Sequence, residues 1–250
     1  MSLIRKIILK AGREAAGYIA KKNAYFPAKY RVISFTFDDF PCTAKENGAR
    51  ILKANKVYGT FYVSLGLAGQ ERNIGRIGTQ HEMLELSQSG HELACHTFSH
   101  LNCAYKTDNL IREDCLKNQE AAMNLNKIKF CSFAYPFGSF DPLSKKVISK
   151  IYDTARTIEP GINVNIIDMA ALKSVSLSKN VEWKIIVQWL EKVDDLGGWL
   201  IFNIHDVSDA PSQFGCTIKL FEKTIEACLK KGFQLMTVRE ATNLISQTVE

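Results

Sequence analysis

The sequence predicts an α/β fold built as a single (β/α) barrel of seven or eight strands. Three observations lead there. Apolar, strand-like runs alternate with helical patterns of ten or more residues, the signature of βα units and a parallel sheet. Seven or eight such repeats fill the 250 residues, with no linker, low-complexity tract or internal repeat between them. Residues able to bind metal recur at the carboxyl ends of strands, which in a barrel meet on one face. An open, doubly wound sheet shares the alternation, but no glycine-rich phosphate loop opens a helix in the right context.

The elements follow in order. Residues 1–30 form a lead-in to a barrel domain spanning 31–250. Within the lead-in, Ile4, Ile7, Ile8, Ala11, Ala15, Tyr18 and Ile19 make an apolar stripe at helical spacing, which predicts an amphipathic helix over 3–22. Lys10 and Arg13 interrupt it too early for a transmembrane span, which needs about 20 apolar residues, and they break any signal-peptide core. The helix is expected to close one side of the domain; contact with an anionic membrane surface is the alternative. Without an export signal the expected location is the cytoplasm, peripheral at the inner membrane face if that contact is made. Strands are expected at 31–37, 59–64, 92–95, 130–135, 154–158, 172–177, 199–204 and 233–238. Helices are expected at 44–55, 80–89, 108–124, 142–151, 182–193 and 217–230, with a terminal helix after the last strand. In 217–230 the apolar residues Ile218, Phe221, Ile225 and Cys228 keep helical spacing, and Gly232 is the stop signal.

Hydrophobic residues at 46% and charged residues at 23% exclude intrinsic disorder. Lys and Arg number 32 against 26 Asp and Glu; this net +6 is spread along the chain and does not demand a nucleic-acid partner. The seven cysteines contain no C-x-x-C pair, and Cys95, Cys131 and Cys228 lie in apolar runs. They read as reduced thiols used as small core residues, as in the cytosol, and not as structural zinc ligands.

The chemistry-bearing residues cluster by position. Asp38 and Asp39 follow the first strand, and His96 and His100 follow the third. Phe137 and Gly138 follow the fourth, and His205 and Asp206 end the apolar strand 199–204. If the segment after the third strand turns helically, two imidazoles four residues apart project to one side and share a metal. Adjacent carboxylates on an extended backbone face opposite ways, so one ligates while the other reaches a water. Of the remaining histidines, His91 is read as a local hydrogen-bonding residue and His81 as solvated.

These residues carry a family resemblance. Phe35-Thr36-Phe37-Asp38-Asp39 resembles the first motif of the NodB-homology polysaccharide deacetylases, a carbohydrate esterase family. Gly90-His91-Glu92 followed by His96-Thr97-Phe98-Ser99-His100 is similar to its second motif. Phe133-Ala134-Tyr135-Pro136-Phe137-Gly138 resembles the third, and Leu200-Ile201-Phe202-Asn203-Ile204-His205-Asp206 the last. The resemblance covers roughly 31–240 and implies a distorted (β/α) barrel with one divalent metal, usually Zn2+. Carried over, it implies that Asp39, His96 and His100 bind the metal. It also implies that Asp38 is the general base, His205 the general acid and the backbone N–H of Phe137 an oxyanion donor. The implied reaction is hydrolysis of the N-acetyl or related N-acyl group of a saccharide. With no export signal or carbohydrate-binding module, the expected substrate is a cytoplasmic precursor. It would be nucleotide- or lipid-linked, serving surface polysaccharide or lipopolysaccharide assembly.

The chain departs from the family pattern in four places, one of them Phe137, which replaces the usual Tyr and matters little if only its backbone works. Ala134 stands where an Arg usually orients the catalytic Asp. Phe40 follows Asp39 in place of Gly. No residue clearly supplies the Asp that orients the acid His; Asp168 is a candidate that reads more readily as a loop acid. Arg156, on the next strand, is expected to replace the missing Arg by pairing with Asp38. Two other readings stay open: a barrel with impaired catalysis that only binds a saccharide, and a two-His-one-carboxylate iron enzyme.

Overall fold

Residues 12–246 are described by the computed structural model. In chain order the strands are β1 (Asn23–Phe26), β2 (Arg31–Asp38), β3 (Thr60–Val63), β4 (Glu71–Arg72), β5 (Gly75–Arg76), β6 (Glu92–Cys95), β7 (Ser132–Ala134), β8 (Thr154–Arg156), β9 (Asn165–Asp168), β10 (Val175–Ser176), β11 (Gly198–Ile204) and β12 (Gln234–Leu235). β2 and β11 lie side by side at the centre. Every residue of β11, and all of β2 after Arg31, is buried. Their β-branched and aromatic side chains suit strands covered on both faces.

Seven of the main sheet's eight strands run in the order β10-β11-β2-β3-β6-β7-β8, each neighbouring pair parallel, and β12 is the eighth. β12 joins β2 beside Val32 and Ile33, while β3 joins it beside Thr36, Phe37 and Asp38. The sheet curls into a half-barrel. At its seam Leu172, just ahead of β10, bridges to Arg156 of β8. Helices return the chain between strands; the longest are Asp108–Asn126, Trp183–Leu196 and Ile218–Lys230.

Strand parity decides what faces the barrel interior. Along β2, Ile33, Phe35 and Phe37 pack into the main core under the helices. Phe35 stacks on its register partner Phe202, and Phe37 on its partner Phe61. The alternate residues Ser34, Thr36 and Asp38 point to the other face. There Tyr62, Ala94 and Ala134 form a small buried cluster. Asp38 therefore reaches the interior by the same alternation that buries Phe37 outside it.

Several expected elements shorten. The strands expected at 130–135, 154–158, 172–177 and 233–238 keep only β7, β8, β10 and β12 as regular strand, although single backbone bonds such as Tyr135 N to Arg156 O and Leu177 N to Asn203 O continue past their ends. The helix expected at 142–151 stops at Ile148. Of the helix expected over 3–22, residues 3–11 lie outside the described residues. The described part is helical at 12–16 only, and a turn with Ala20 at φ 51 follows. The chain then enters β1, which pairs antiparallel with β9, and Phe26 stacks on Trp199. That pairing, and the β4–β5 hairpin, have no counterpart in the sequence reading. No helix among the described residues is long and apolar enough to cross a membrane.

Candidate metal and catalytic site

The carboxyl ends of β2, β6 and β11 bring Asp39, His96, His100 and His205 together. Asp39 Oδ1 lies 3.1 Å from His100 Nε2 and 3.6 Å from His96 Nε2. Asp39 Oδ2 lies 3.9 Å from His205 Nε2. One ligand atom from each of Asp39, His96 and His100 falls within 4.8 Å of the others, so the three could hold one cation.

The donor chemistry fits such an ion. Asp39 Oδ1 is buried and has no hydrogen-bond partner among the described residues, an arrangement that costs free energy unless a cation or donor satisfies it. His96 Nδ1 lies 2.8 Å from the carbonyl oxygen of Ala134. A carbonyl only accepts, so Nδ1 carries the proton and the Nε2 lone pair faces the cluster. Burial pushes the His96 imidazole down to about 3 and His100 down to about 4, so both stay neutral, as ligands must. Burial raises the Asp39 carboxyl to about 6; His205 and Arg72 oppose the rise and Asp38 adds to it.

The two histidines do not meet through a helical turn. Residues 96–100 are non-helical, with Thr97 at φ 61 and His100 at φ 57. This loop is held from outside the motif. Asp114, on the helix Asp108–Asn126, accepts from the backbone N–H of Phe98 at 2.6 Å and of Ser99 at 3.0 Å, and from Ser99 Oγ at 2.7 Å. Thr97 Oγ1 accepts from Leu101 N at 2.7 Å. Asp114 is a support that sequence reading misses, since nothing local marks one acid among many on an exposed helix.

Asp38, at the inner end of β2, is 5% exposed and accepts from Arg156 Nη2. Arg156 is itself buried, with its guanidinium 5.0 Å from the Tyr62 ring. Burial alone would raise the Asp38 carboxyl, but Arg156, His96 and His205 together hold it below its ordinary value. It is therefore ionised at neutral pH.

His205 closes the other side of the cluster. Its ring lies 5.2 Å from that of Phe214. Its Nδ1 is buried without a hydrogen-bond partner among the described residues, so no carboxylate orients it. Asp168 does not take that place: it ends β9, pairs with Lys145 Nζ at 2.5 Å and accepts from Lys22 N at 3.0 Å. Asp206 turns away to fix the following loop, accepting from Ser212 N at 2.8 Å and from Ser212 Oγ.

Phe137 sits at φ 61 in the turn after β7, and its ring stands edge-on to His100 at 4.4 Å. The remaining histidines lie apart. His91 Nδ1 accepts from Gly59 N at 3.0 Å, from the neighbouring strand, and exposed His81 pairs with Glu85.

The residue after Asp39 explains one departure from the motif. Asp39 and Phe40 both take positive φ, 64 and 60, the region that a glycine would occupy without strain. Phe40 is fully buried, edge-on to Phe61, and its ring fills the space in front of Gly78, where a Cβ would come within 2.2 Å.

Comparison with known proteins agrees with this architecture. No curated protein sequence matches the chain. Among solved structures it is similar to a putative polysaccharide deacetylase from Mycobacterium smegmatis, with 14% identity over 86% of this chain and 90% of that one and a TM-score of 0.64. It is also similar to Bacillus subtilis PdaA, a family 4 carbohydrate esterase, with 16% identity over 88% and 84% of the two chains and a TM-score of 0.58. A third is the Streptococcus pyogenes deacetylase PplD in complex with acetate, with 18% identity over 63% and 69% and a TM-score of 0.54. These likenesses establish the fold. The sequence-level match is to the polysaccharide deacetylase family model over residues 27–152, a stretch that contains Asp38, Asp39, His96 and His100. On that match, the chain belongs to the polysaccharide deacetylase family.

Proposed function

We propose that this protein is a metal-dependent hydrolase that removes the N-acetyl or a related N-acyl group from a saccharide. Family membership supplies the coarser statement, deacetylation of a polysaccharide by hydrolysis. The observation that carries the finer one is the buried, unpartnered Asp39 Oδ1 facing two neutral imidazoles, with Asp38 and His205 beside it.

Each residue then has a task. Asp39, His96 and His100 would hold a divalent cation, with Zn2+ our proposal for its identity given two imidazoles and one carboxylate. Such a cation supplies polarisation of the acyl carbonyl and greater acidity of the attacking water, which suits a proton acceptor of low basicity. Asp38 is that acceptor: Arg156 keeps it ionised and fixes its direction. The Phe137 N–H is proposed to donate to the developing oxyanion, where a backbone donor is most effective because it needs no reorganisation. His205 is proposed to protonate the departing amine, an otherwise poor leaving group. Acetate, bound by PplD, is the product this reaction releases from an N-acetyl sugar.

The substrate we propose is a nucleotide- or lipid-linked N-acyl sugar of surface polysaccharide or lipopolysaccharide assembly. The cytoplasm, at the inner membrane face, is the proposed setting. The seven cysteines are free thiols, which suits a reducing compartment, and exposed Tyr18 and Ile19 beside exposed Lys21 suit a membrane surface.

Metal analysis of the purified protein, with an assay for acetate release from N-acetylated saccharides, tests the proposal. Asp38→Ala and His205→Ala are expected to keep the metal and lose turnover by a factor of about 100 or more. Full activity in both would reject the assignment. Undiminished turnover without oxygen separates it from an iron oxygenase.

A further inference from the structure

We infer that Arg72 is the anion-recognising residue of this site, so that the N-acyl saccharide it takes carries a phosphate or carboxylate close to the reacting sugar. This rests on the deacetylase reading and specifies its substrate class.

A cavity of about 430 Å3 joins the metal cluster to the β4–β5 hairpin. Asp39, His100 and Phe137 line it on one side; Arg72, Asn73 and Ile74, at the hairpin tip, line the other. A volume of that order accommodates a small saccharide. The hairpin thus forms a wall of the reaction chamber, and its tip is where a substituent on the sugar would arrive.

The hairpin carries two arginines in opposite circumstances. Arg76 is consumed by the fold: both its terminal nitrogens donate to Glu82, each at 2.9 Å, and Glu82 also accepts from Thr79 N at the start of the next helix. Glu71 stands in register with Arg76, whereas Arg72 stands in register with Gly75, which has no side chain to offer. Among the described residues Arg72 has no carboxylate partner. It lines the same cavity as Asp39 and His100. Glu71, which also lines the cavity, stands in register with Arg76, whose guanidinium is taken by Glu82.

The mount is rigid. Gly75, at φ 100, closes the turn in a conformation other residues rarely adopt. At the base, Pro41 bridges to Ile77, and Gly78 N donates to the carbonyl of Phe40 at 2.8 Å. Ile77 N donates to Gln70 O at 2.9 Å. The Arg72 guanidinium offers paired N–H donors that match the oxygens of a phosphate or carboxylate. A neutral sugar has no group that calls for a fixed positive charge beside the cation site.

The test uses the full chain and three probes: N-acetylglucosamine, its 1-phosphate, and N-acetylglucosamine linked to a uronic acid. Binding is measured by calorimetry and acetate release by a coupled assay. Wild type is expected to bind at least one acidic probe about 10- to 100-fold more tightly than the neutral sugar. Arg72→Gln should reduce that preference to near unity, and Arg72→Lys should keep part of it, with melting temperature and metal content unchanged. Preference for the phosphate or for the uronate identifies the source of the charge. Equal binding of acidic and neutral probes by wild type, or a preference that survives Arg72→Gln, would overturn the inference. Acidic preference without acetate release from any probe would count against the hydrolase reading and leave Arg72 as an anion site. Acetate release without charge preference would do the reverse.

Discussion

Ala134 and Arg156 are register partners on adjacent parallel strands, β7 and β8. Ala134 occupies the motif position where the family resemblance leads one to expect an arginine, and Arg156 reaches Asp38 from one strand further round the barrel. In-register neighbours on a parallel pair share a face and lie about 5 Å apart, within reach of one long side chain. The guanidinium that the resemblance places on β7 stands here on β8, with Asp38 as its partner.

This substitution across strands predicts an exchange. Arg156→Ala leaves the buried Asp38 carboxylate without its cation, and is expected to cost about 3–5 kcal/mol of stability and most of the activity. Adding Ala134→Arg to that variant refills the space from the neighbouring strand. The double variant should recover part of both, measured by urea unfolding and turnover; a double variant worse than Arg156→Ala would show that the two positions are not equivalent.

Asp114 should control the candidate metal site from a distance. Asp114→Asn keeps the size of the side chain but replaces one accepting oxygen with a donor, which opposes the N–H groups of Phe98 and Ser99. Metal affinity is expected to fall by about 10- to 100-fold, as for other supports of ligand geometry. A zinc competition titration against a chelator reads this directly, and unchanged affinity would refute the role given to Asp114.

His91 should shape the acid side of the stability curve. Burial, with a smaller push from Lys53, lowers its imidazole from an ordinary 6.5 to about 4. Between those values the unfolded chain binds the extra proton and the folded one does not. The stabilisation is complete above about pH 6.5 and is lost as the pH falls through about 4, a contribution of about 3 kcal/mol. His91→Gln, whose carbonyl can still accept from Gly59 N, should show a flatter decline between pH 7 and pH 4.5 in denaturant unfolding. An equally steep decline would place the acid sensitivity elsewhere.

Gly78→Ala should displace the hairpin. The added methyl would meet the Phe40 ring at 2.2 Å, and the ring is enclosed. Overpacking of this kind costs about 1–3 kcal/mol. Because the affected contact mounts the hairpin, KM should rise more than kcat falls. A fall in kcat alone would argue that the hairpin does not meet substrate.

Much of the site is legible in the sequence because the strands that carry it are short, buried runs rich in apolar residues. The polar residues that end them, Asp38, Asp39, His96 and His205, stand out by contrast, and a parallel barrel gathers those ends. The rest depends on contacts that no local pattern encodes. Asp114 is one acid among several on a polar helix, and only tertiary packing selects it. β4 and β5 have two residues each, too few to show a period. The pairing of β1 with β9 joins positions more than a hundred residues apart. The expected helical turn from His96 to His100 fails because Asp114 and Thr97 offer that backbone better partners than its own carbonyls.

The strained pair Asp39–Phe40 has an evolutionary corollary. A glycine after Asp39 would relax the kink by about 1 kcal/mol but remove the ring that fills the space before residue 78. A side chain at 78 becomes tolerable only once that ring has gone. Residues 40 and 78 are therefore expected to covary among homologues, an aromatic at one accompanying glycine at the other, so that a lineage drifts between the two solutions only by changing both.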